Sequence, residues 1–185
     1  MTEGLYNLKA LLCMMLYFYS SDMIVREIEK LEIPLLEEFL YQAVFIPEGK
    51  ERPGRDILKL PELQCYIKDF GKETDHCLVL QHNKKIIGAV WSRQFSANEK
   101  GFGFIDPDTP EIAMSVLEPY RNQGVGTLLL KAMLDRLARK GYRQVSLSVD
   151  TLNYAYKMYR KAGFYTVEKG GESVTMIKDL RRIMT

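Results

Sequence analysis

The chain has 185 residues, a length that fits one domain able to bury a substantial core. Its composition, 46% hydrophobic and 27% charged, is that of an ordinary soluble globular protein, and a net charge of +2 gives no basic field to attract nucleic acid. Three scattered cysteines (Cys13, Cys65, Cys77) and two histidines (His76, His82) exclude a disulfide framework and any metal-ligand spacing, so a reducing, cytoplasmic setting without a bound metal is the simplest expectation.

Residues 1–22 stand apart as an N-terminal extension, almost wholly apolar from Leu8 to Tyr19. The run is shorter than the roughly 20 residues a membrane span requires. It also lacks the basic start and small-residue cleavage site of a secretory signal. Three readings stay open: sequence upstream of the natural start, a helix packed on the domain or on a second copy, and a weak membrane anchor. A homodimer is a reasonable expectation, because such an apolar surface needs covering.

From Met23 onward, residues 23–185 read as one domain. Met23–Ile28 alternates as a strand, and Ile33–Phe45 carries Leu35, Leu36, Phe39, Leu40 and Ala43 at helical spacing, with Pro34 in the first turn. Ile46–Lys59 is a charged, Pro- and Gly-punctuated loop, either a solvated connector or one wall of a pocket. Pro61–Phe70 is expected as a second helix stopped by Gly71. Cys77–Gln81 and Lys85–Arg93 form a hairpin around His82-Asn83-Lys84, with Gly88 marking a bulge or a close backbone approach. Phe95–Pro110 interleaves aromatics with glycines, as a hairpin arm or a binding lip would.

Ile112–Leu117 then reads as a buried strand, Glu118-Pro119-Tyr120 as a turn, and Arg121-Asn122-Gln123-Gly124-Val125-Gly126-Thr127 as the opening of a helix that runs to Lys140. An arginine and two glycines between a strand and a helix suit an anion-binding turn, since the backbone can approach the ligand and the helix N-terminus presents unpaired N–H groups. The turn is not a P-loop, because no Gly-Lys-Ser/Thr follows, and it lacks the third glycine of a dinucleotide fold, where Leu129 stands. Gln144–Asp150 is a further strand and Asn153–Ala162 a short helix ended by Gly163. Phe164–Glu168 and Ser173–Lys178 are a final hairpin around Lys169-Gly170-Gly171-Glu172. Antiparallel hairpins followed by alternating helices and strands make a mixed α/β sheet.

Two motifs in this order, Val116-x-x-x-x-Arg121-x-x-Gly124-x-Gly126 and Asn153-x-Ala155-x-x-x-Tyr159-x-x-x-Gly163-Phe164, strongly resemble the GNAT superfamily of acyl-CoA-dependent N-acetyltransferases. The resemblance implies a GNAT-like acyltransferase fold of mixed α/β (α+β) type, whose central, mostly antiparallel sheet is splayed and flanked by helices. It implies acetyl-CoA as cosubstrate and a small-molecule or peptide amine as acceptor, with neither nucleic acid nor membrane as partner. Met114, Ser115 and Val116 would offer backbone to the pantetheine arm. Arg121, Asn122, Gln123, Gly124, Val125, Gly126 and Thr127 would wrap the pyrophosphate, and Asn153 would contact the cofactor at its helix start, where an N-cap role is also open. Tyr159 would protonate the departing thiolate, against the alternative of an aromatic packed on a short helix.

The base that takes the amine's proton is expected at Glu111, whose other reading is an exposed residue at the start of its strand; Asp106 and Asp108 are weaker candidates, better suited to turns. The acceptor is not named by the sequence, and Glu48, Glu51, Asp106 and Asp108 with Phe102 and Phe104 on the two loop walls would suit a cationic or aromatic amine. A different acyl group, or a module that binds acyl-CoA without turning it over, are the competing readings.

Overall fold

The computed structural model describes residues 23–181, so the expectations for the apolar extension and for dimerisation through it lie outside the described residues. Among the described residues, seven strands form one sheet: β1 (Met23–Glu27), β2 (His76–His82), β3 (Lys85–Arg93), β4 (Glu111–Val116), β5 (Gln144–Asp150), β6 (Tyr165–Gly170) and β7 (Ser173–Asp179). Their order is β1-β2-β3-β4-β5-β7-β6. Every neighbour is antiparallel except β4 and β5, which run parallel and share one pair, Glu111 opposite Ser146.

The β2–β3 hairpin closes through Asn83 and Lys84, both at positive φ (48° and 63°), the left-handed pair that matches strand twist. Gly88 satisfies both of its expected readings. The β2–β3 register shifts beside it, between Leu80 and Gln81, and a Cβ there would stand 2.9 Å from Leu129 Cδ1.

Helices cover both faces of the sheet. α3 (Val125–Arg139) and α4 (Ala155–Lys161) bury Leu129, Leu130, Met133, Leu137 and Tyr159 against Val90, Ile112, Val145, Leu147 and Met176. On the other face, α1 (Leu36–Ala43) and the segment around α2 (Pro61–Gln64) bury Phe39, Leu40, Cys65 and Tyr66 against Val79, Ala89, Trp91 and Phe95. None of the helices among the described residues is long and apolar enough to cross a membrane.

The first two helices are shorter than the apolar spacing predicts. Lys30–Leu35 is a 3₁₀ helix that passes into α1 only at Leu36; Pro34 lacks an N–H to bond backward, and Glu29 and Glu32 close a capping box ahead of it. α2 ends at Gln64 and Cys65–Asp69 continues as turns: the Cys65 carbonyl, which a longer helix would pair with Asp69 N–H, accepts instead from the buried Arg93 guanidinium, which also holds the Lys68 and Asp69 carbonyls, and Asp69 sits at φ 52°.

Candidate active site

The single β4–β5 pair has a direct consequence for the cleft. Ser146 N–H donates to Pro110 O (3.0 Å) and Leu117 N–H donates to Ile87 O (2.9 Å), so even-numbered β4 residues aim their backbone toward β5 and odd-numbered ones toward β3. Beyond Glu111 the two strands part, which leaves the β5-facing edges of Met114 and Val116 without a strand partner. One cleft of about 1080 Å³ occupies the opening, lined by Glu111, Met114, Ser115, Val116, Ser148 and Asp150. Ser115 contributes no hydroxyl there, since its Oγ donates to Phe39 O (2.7 Å) and ties α1 to the strand.

The cleft runs on to the N-terminus of α3. Gly124 precedes the helix with φ +82°, a left-handed conformation that strains any residue with a Cβ, and Asn122 adopts φ 60° two residues earlier. Among the described residues no side chain caps the helix, so the N–H groups of its first turn are open to an anion. A Cβ on Gly124 would meet no protein atom within 4 Å, whereas one on Gly126 would touch Met114 and Met158 at 3.5 Å. Arg121, Asn122, Gly124, Gly126 and Thr127 line the cleft. Arg121 also holds the turn together, donating Nε to Val116 O (2.9 Å) and Nη2 to Gln42 Oε1 (3.2 Å). The side chains of the other two turn residues point elsewhere: Gln123 donates to Pro119 O (2.8 Å), and Val125 is buried in the core.

Glu111 is buried at 2% exposure rather than exposed at the strand start. Its Oε1 accepts from the Tyr66 hydroxyl (2.5 Å) and from Gly103 N–H (2.9 Å), while Oε2 has no partner among the described residues. A strap, Gly101-Phe102-Gly103, presses onto the carboxyl. A Cβ on Gly101 would collide with Oε2, and one on Gly103 would stand 2.5 Å from the backbone carbon of Leu147. The strap thus plugs the base of the gap between β4 and β5. Burial pushes the Glu111 carboxyl up to about 7, against the opposing pull of Tyr66 and Gly103.

This burial makes stability depend on pH in a defined direction. Between the ordinary value of 4.5 and about 7 the folded carboxyl keeps a proton that the unfolded chain has released. The associated stability is fully present below the lower value and lost as pH rises through the upper one. Glu111→Gln, which can still accept from Tyr66 and Gly103, should remove that slope and leave the protein more stable than the parent at pH 8, by on the order of 3 kcal/mol at most. Urea unfolding of both proteins at pH 5 and pH 8 measures this; a parent stability that does not change over the window would contradict it.

Tyr159, from α4, is buried and lines the same cleft, with its ring edge-on to Phe164 at 5.8 Å. Burial raises its phenol above the ordinary range, so it is protonated at neutral pH. Asn153 also lines the cleft, and its Oδ1 accepts from Ala155 N–H (2.9 Å) in a turn just ahead of the helix, whose N-cap is Tyr154. Asp106 accepts from Asp108 N–H (2.9 Å) in a turn, and neither lines the cleft.

Of the two expected walls, Ile46 and Arg52 come from the first and Phe102 from the second, while Glu48 and Glu51 stay outside and the carboxylates that reach the cleft beside Glu111 are Asp150 and Glu168. Nothing in the sequence marks Tyr66 or Gly103 as functional. Tyr66 reads there as one more apolar residue on a helix face, and only the Gly-Phe-Gly spacing hinted at the strap.

The model of the acetyltransferase (GNAT) family matches residues 39–164. Among solved structures, an N-acetyltransferase from Staphylococcus aureus Mu50 superposes with TM-score 0.62 at 17% identity, covering 87% of this chain and all of that one (100%). The ribosomal-protein-S18-alanine N-acetyltransferase from Escherichia coli gives 0.58 at 15%, over 85% of this chain and 94% of that one. The PaiA N-acetyltransferase from Thermoplasma acidophilum, solved in complex with coenzyme A, gives 0.59 at 16%, over 85% and 98%. No curated protein matches the sequence.

Proposed function

The chain belongs to the GNAT acetyltransferase family, and from that premise we propose that it transfers acetyl from acetyl-CoA to a primary amine by direct attack. The observation that carries the reading is the continuity of the cleft, which joins the open N-terminus of α3 to the freed edge of β4 and is lined by both Tyr159 and Glu111. The residues present fit the cosubstrate. The α3 first turn suits a pyrophosphate, and the Met114 backbone with the N–H of Val116, whose carbonyl Arg121 already occupies, suits the amide-bearing pantetheine arm.

In this reading an N–H of the β4 edge donates to the thioester oxygen as negative charge develops on it. Glu111 receives the proton that the acceptor ammonium must lose before its nitrogen can attack. The new C–N bond forms as the C–S bond breaks; Tyr159 donates its proton to the departing sulfur and regains one from the acylated nitrogen, which carries one proton more than the amide keeps. The described cysteines, Cys65 and Cys77, are buried outside the cleft, and burial pushes the Cys65 thiol up to about 11, which agrees with transfer without a cysteine-bound acyl group.

The test combines thermal stabilisation by CoA with thiol release from acetyl-CoA, propionyl-CoA and succinyl-CoA. The amine panel comprises an alanine-initiated peptide, a lysine-containing peptide, a polyamine and an aminoglycoside. Stabilisation with amine-dependent thiol release from acetyl-CoA is expected. Stabilisation without release from any amine would instead mark a module that only binds the cofactor.

A further inference from the structure

Neither oxygen of Glu111 is free to meet an amine. Oε1 is occupied by two donors, and Oε2 is sealed beneath Gly101. Tyr66 lines the same cleft and differs in having hydrogen-bonding capacity to spare. Its hydroxyl donates to Glu111 Oε1 (2.5 Å), accepts from Phe102 N–H (2.7 Å), and belongs to a residue that lines the cleft beside Leu63 and Phe102. A phenol oxygen has one proton to give and two lone pairs, so one lone pair is left for a donor arriving from the cleft.

We propose that Tyr66 is a catalytic residue that carries the acceptor's proton to Glu111, which the amine itself does not reach. The inference rests on the reading of Glu111 as base. The ammonium N–H donates to the Tyr66 oxygen; that N–H bond breaks as a new O–H bond forms, while the original Tyr66 O–H bond breaks and its proton bonds to Glu111 Oε1. The products are a neutral amine, a neutral tyrosine and a protonated carboxyl, so no charge rests on Tyr66.

The surroundings favour this concerted route. Burial and the facing Glu111 carboxyl hold the Tyr66 phenol well above its ordinary range, which excludes a resting tyrosinate. The other groups around Glu111 do not supply an alternative. Arg93 pairs opposite it on β3 but spends all five N–H donors on Asp75 and three backbone carbonyls. Cys65, next to Tyr66, is held protonated by burial, and the strap contributes no charged side chain; β5 presents the uncharged Ser146 and Ser148 beside Glu111, while its cleft carboxylate, Asp150, lies four residues beyond Ser146 and accepts from Leu152 N–H. Phe102 stacks on Tyr66 at 6.2 Å between centroids, on the side of the ring that meets the cleft.

The experiment compares Tyr66→Phe, Glu111→Gln and the double variant, using the panel amine that releases thiol fastest with the parent protein. Phenylalanine keeps the ring contacts with Phe95 and Phe102. Each single variant should lose about a hundredfold in kcat/KM, with CoA stabilisation retained, and the double should be no slower than either single, because both remove one path. Multiplying losses in the double would overturn the relay. So would an unimpaired Tyr66→Phe beside a slow Glu111→Gln, which leaves the Glu111 assignment standing. An unimpaired Glu111→Gln would overturn the base assignment itself.

Should Tyr66→Phe compromise folding, 3,5-difluorotyrosine in place of Tyr66 keeps the hydroxyl and acidifies it. The stronger donor should move the acid limb of kcat/KM to lower pH, and an unmoved limb would count against Tyr66.

Discussion

Tyr159→Phe is expected to lower turnover by about a hundredfold or more while leaving acetyl-CoA binding and stability close to those of the parent. The ring lies in the core with its edge on Phe164, and the hydroxyl makes no hydrogen bond among the described residues, so phenylalanine preserves the packing and strands no polar partner. What it removes is a proton. A leaving thiolate must be protonated, and the raised phenol supplies a proton throughout the neutral range without an alkaline limb of its own. The loss should therefore fall on kcat, and isothermal titration with CoA should give an unchanged Kd. Equal turnover by the two proteins from pH 6 to pH 9 would remove Tyr159 from the chemistry.

The fold was open to sequence reasoning because its signals are local. Alternation in β1, the continuous apolar runs of β2, β3 and β4, the Asn83-Lys84 turn, and glycines 124, 141 and 163 mark boundaries that tertiary contacts do not move. The expectation failed where a distant side chain intervenes. The Pro61–Phe70 helix stops after one turn because Arg93, on β3, claims its carbonyls, and no window around residue 65 contains that fact. The site divides in the same way. The Arg121–Thr127 turn and the Asn153–Tyr159 segment are contiguous in sequence and carry a pattern. The Glu111–Tyr66–Gly103 junction joins residues separated by 45 and 8 positions through one carboxyl, so only the folded chain reveals it. For the same reason the acidic loop residues Glu48 and Glu51 drew more weight than Asp150 and Glu168, whose places on β5 and β6 bring them to the cleft.

Arg93→Met should be the most damaging substitution for stability, costing on the order of 3–5 kcal/mol. The Arg93 and Asp75 side chains are 6% and 1% exposed and exchange two hydrogen bonds, Nε to Oδ1 (3.0 Å) and Nη2 to Oδ2 (2.9 Å). The remaining donors reach the carbonyls of Cys65 (2.8 Å), Lys68 (2.7 Å) and Asp69 (3.0 Å), and the guanidinium lies over the Phe70 ring. Burial alone would push the Asp75 carboxyl up. Arg93 and the N–H groups of Gly71 and Lys72 outweigh it and hold the carboxyl below its ordinary value, so this stability is present above the unfolded value and lost on acidification through the folded one. Methionine fills much of the volume but leaves a buried carboxylate without its cation and three carbonyls without donors. The double variant Asp75→Asn/Arg93→Met should recover part of the loss by removing the charge, though not the part owed to the carbonyls. Those carbonyls belong to the turns that carry Tyr66, so Arg93→Met should also loosen the Tyr66–Glu111 contact and slow catalysis at temperatures well below unfolding. Urea denaturation measures the first effect; a loss under about 1 kcal/mol would mean that the turns hold themselves.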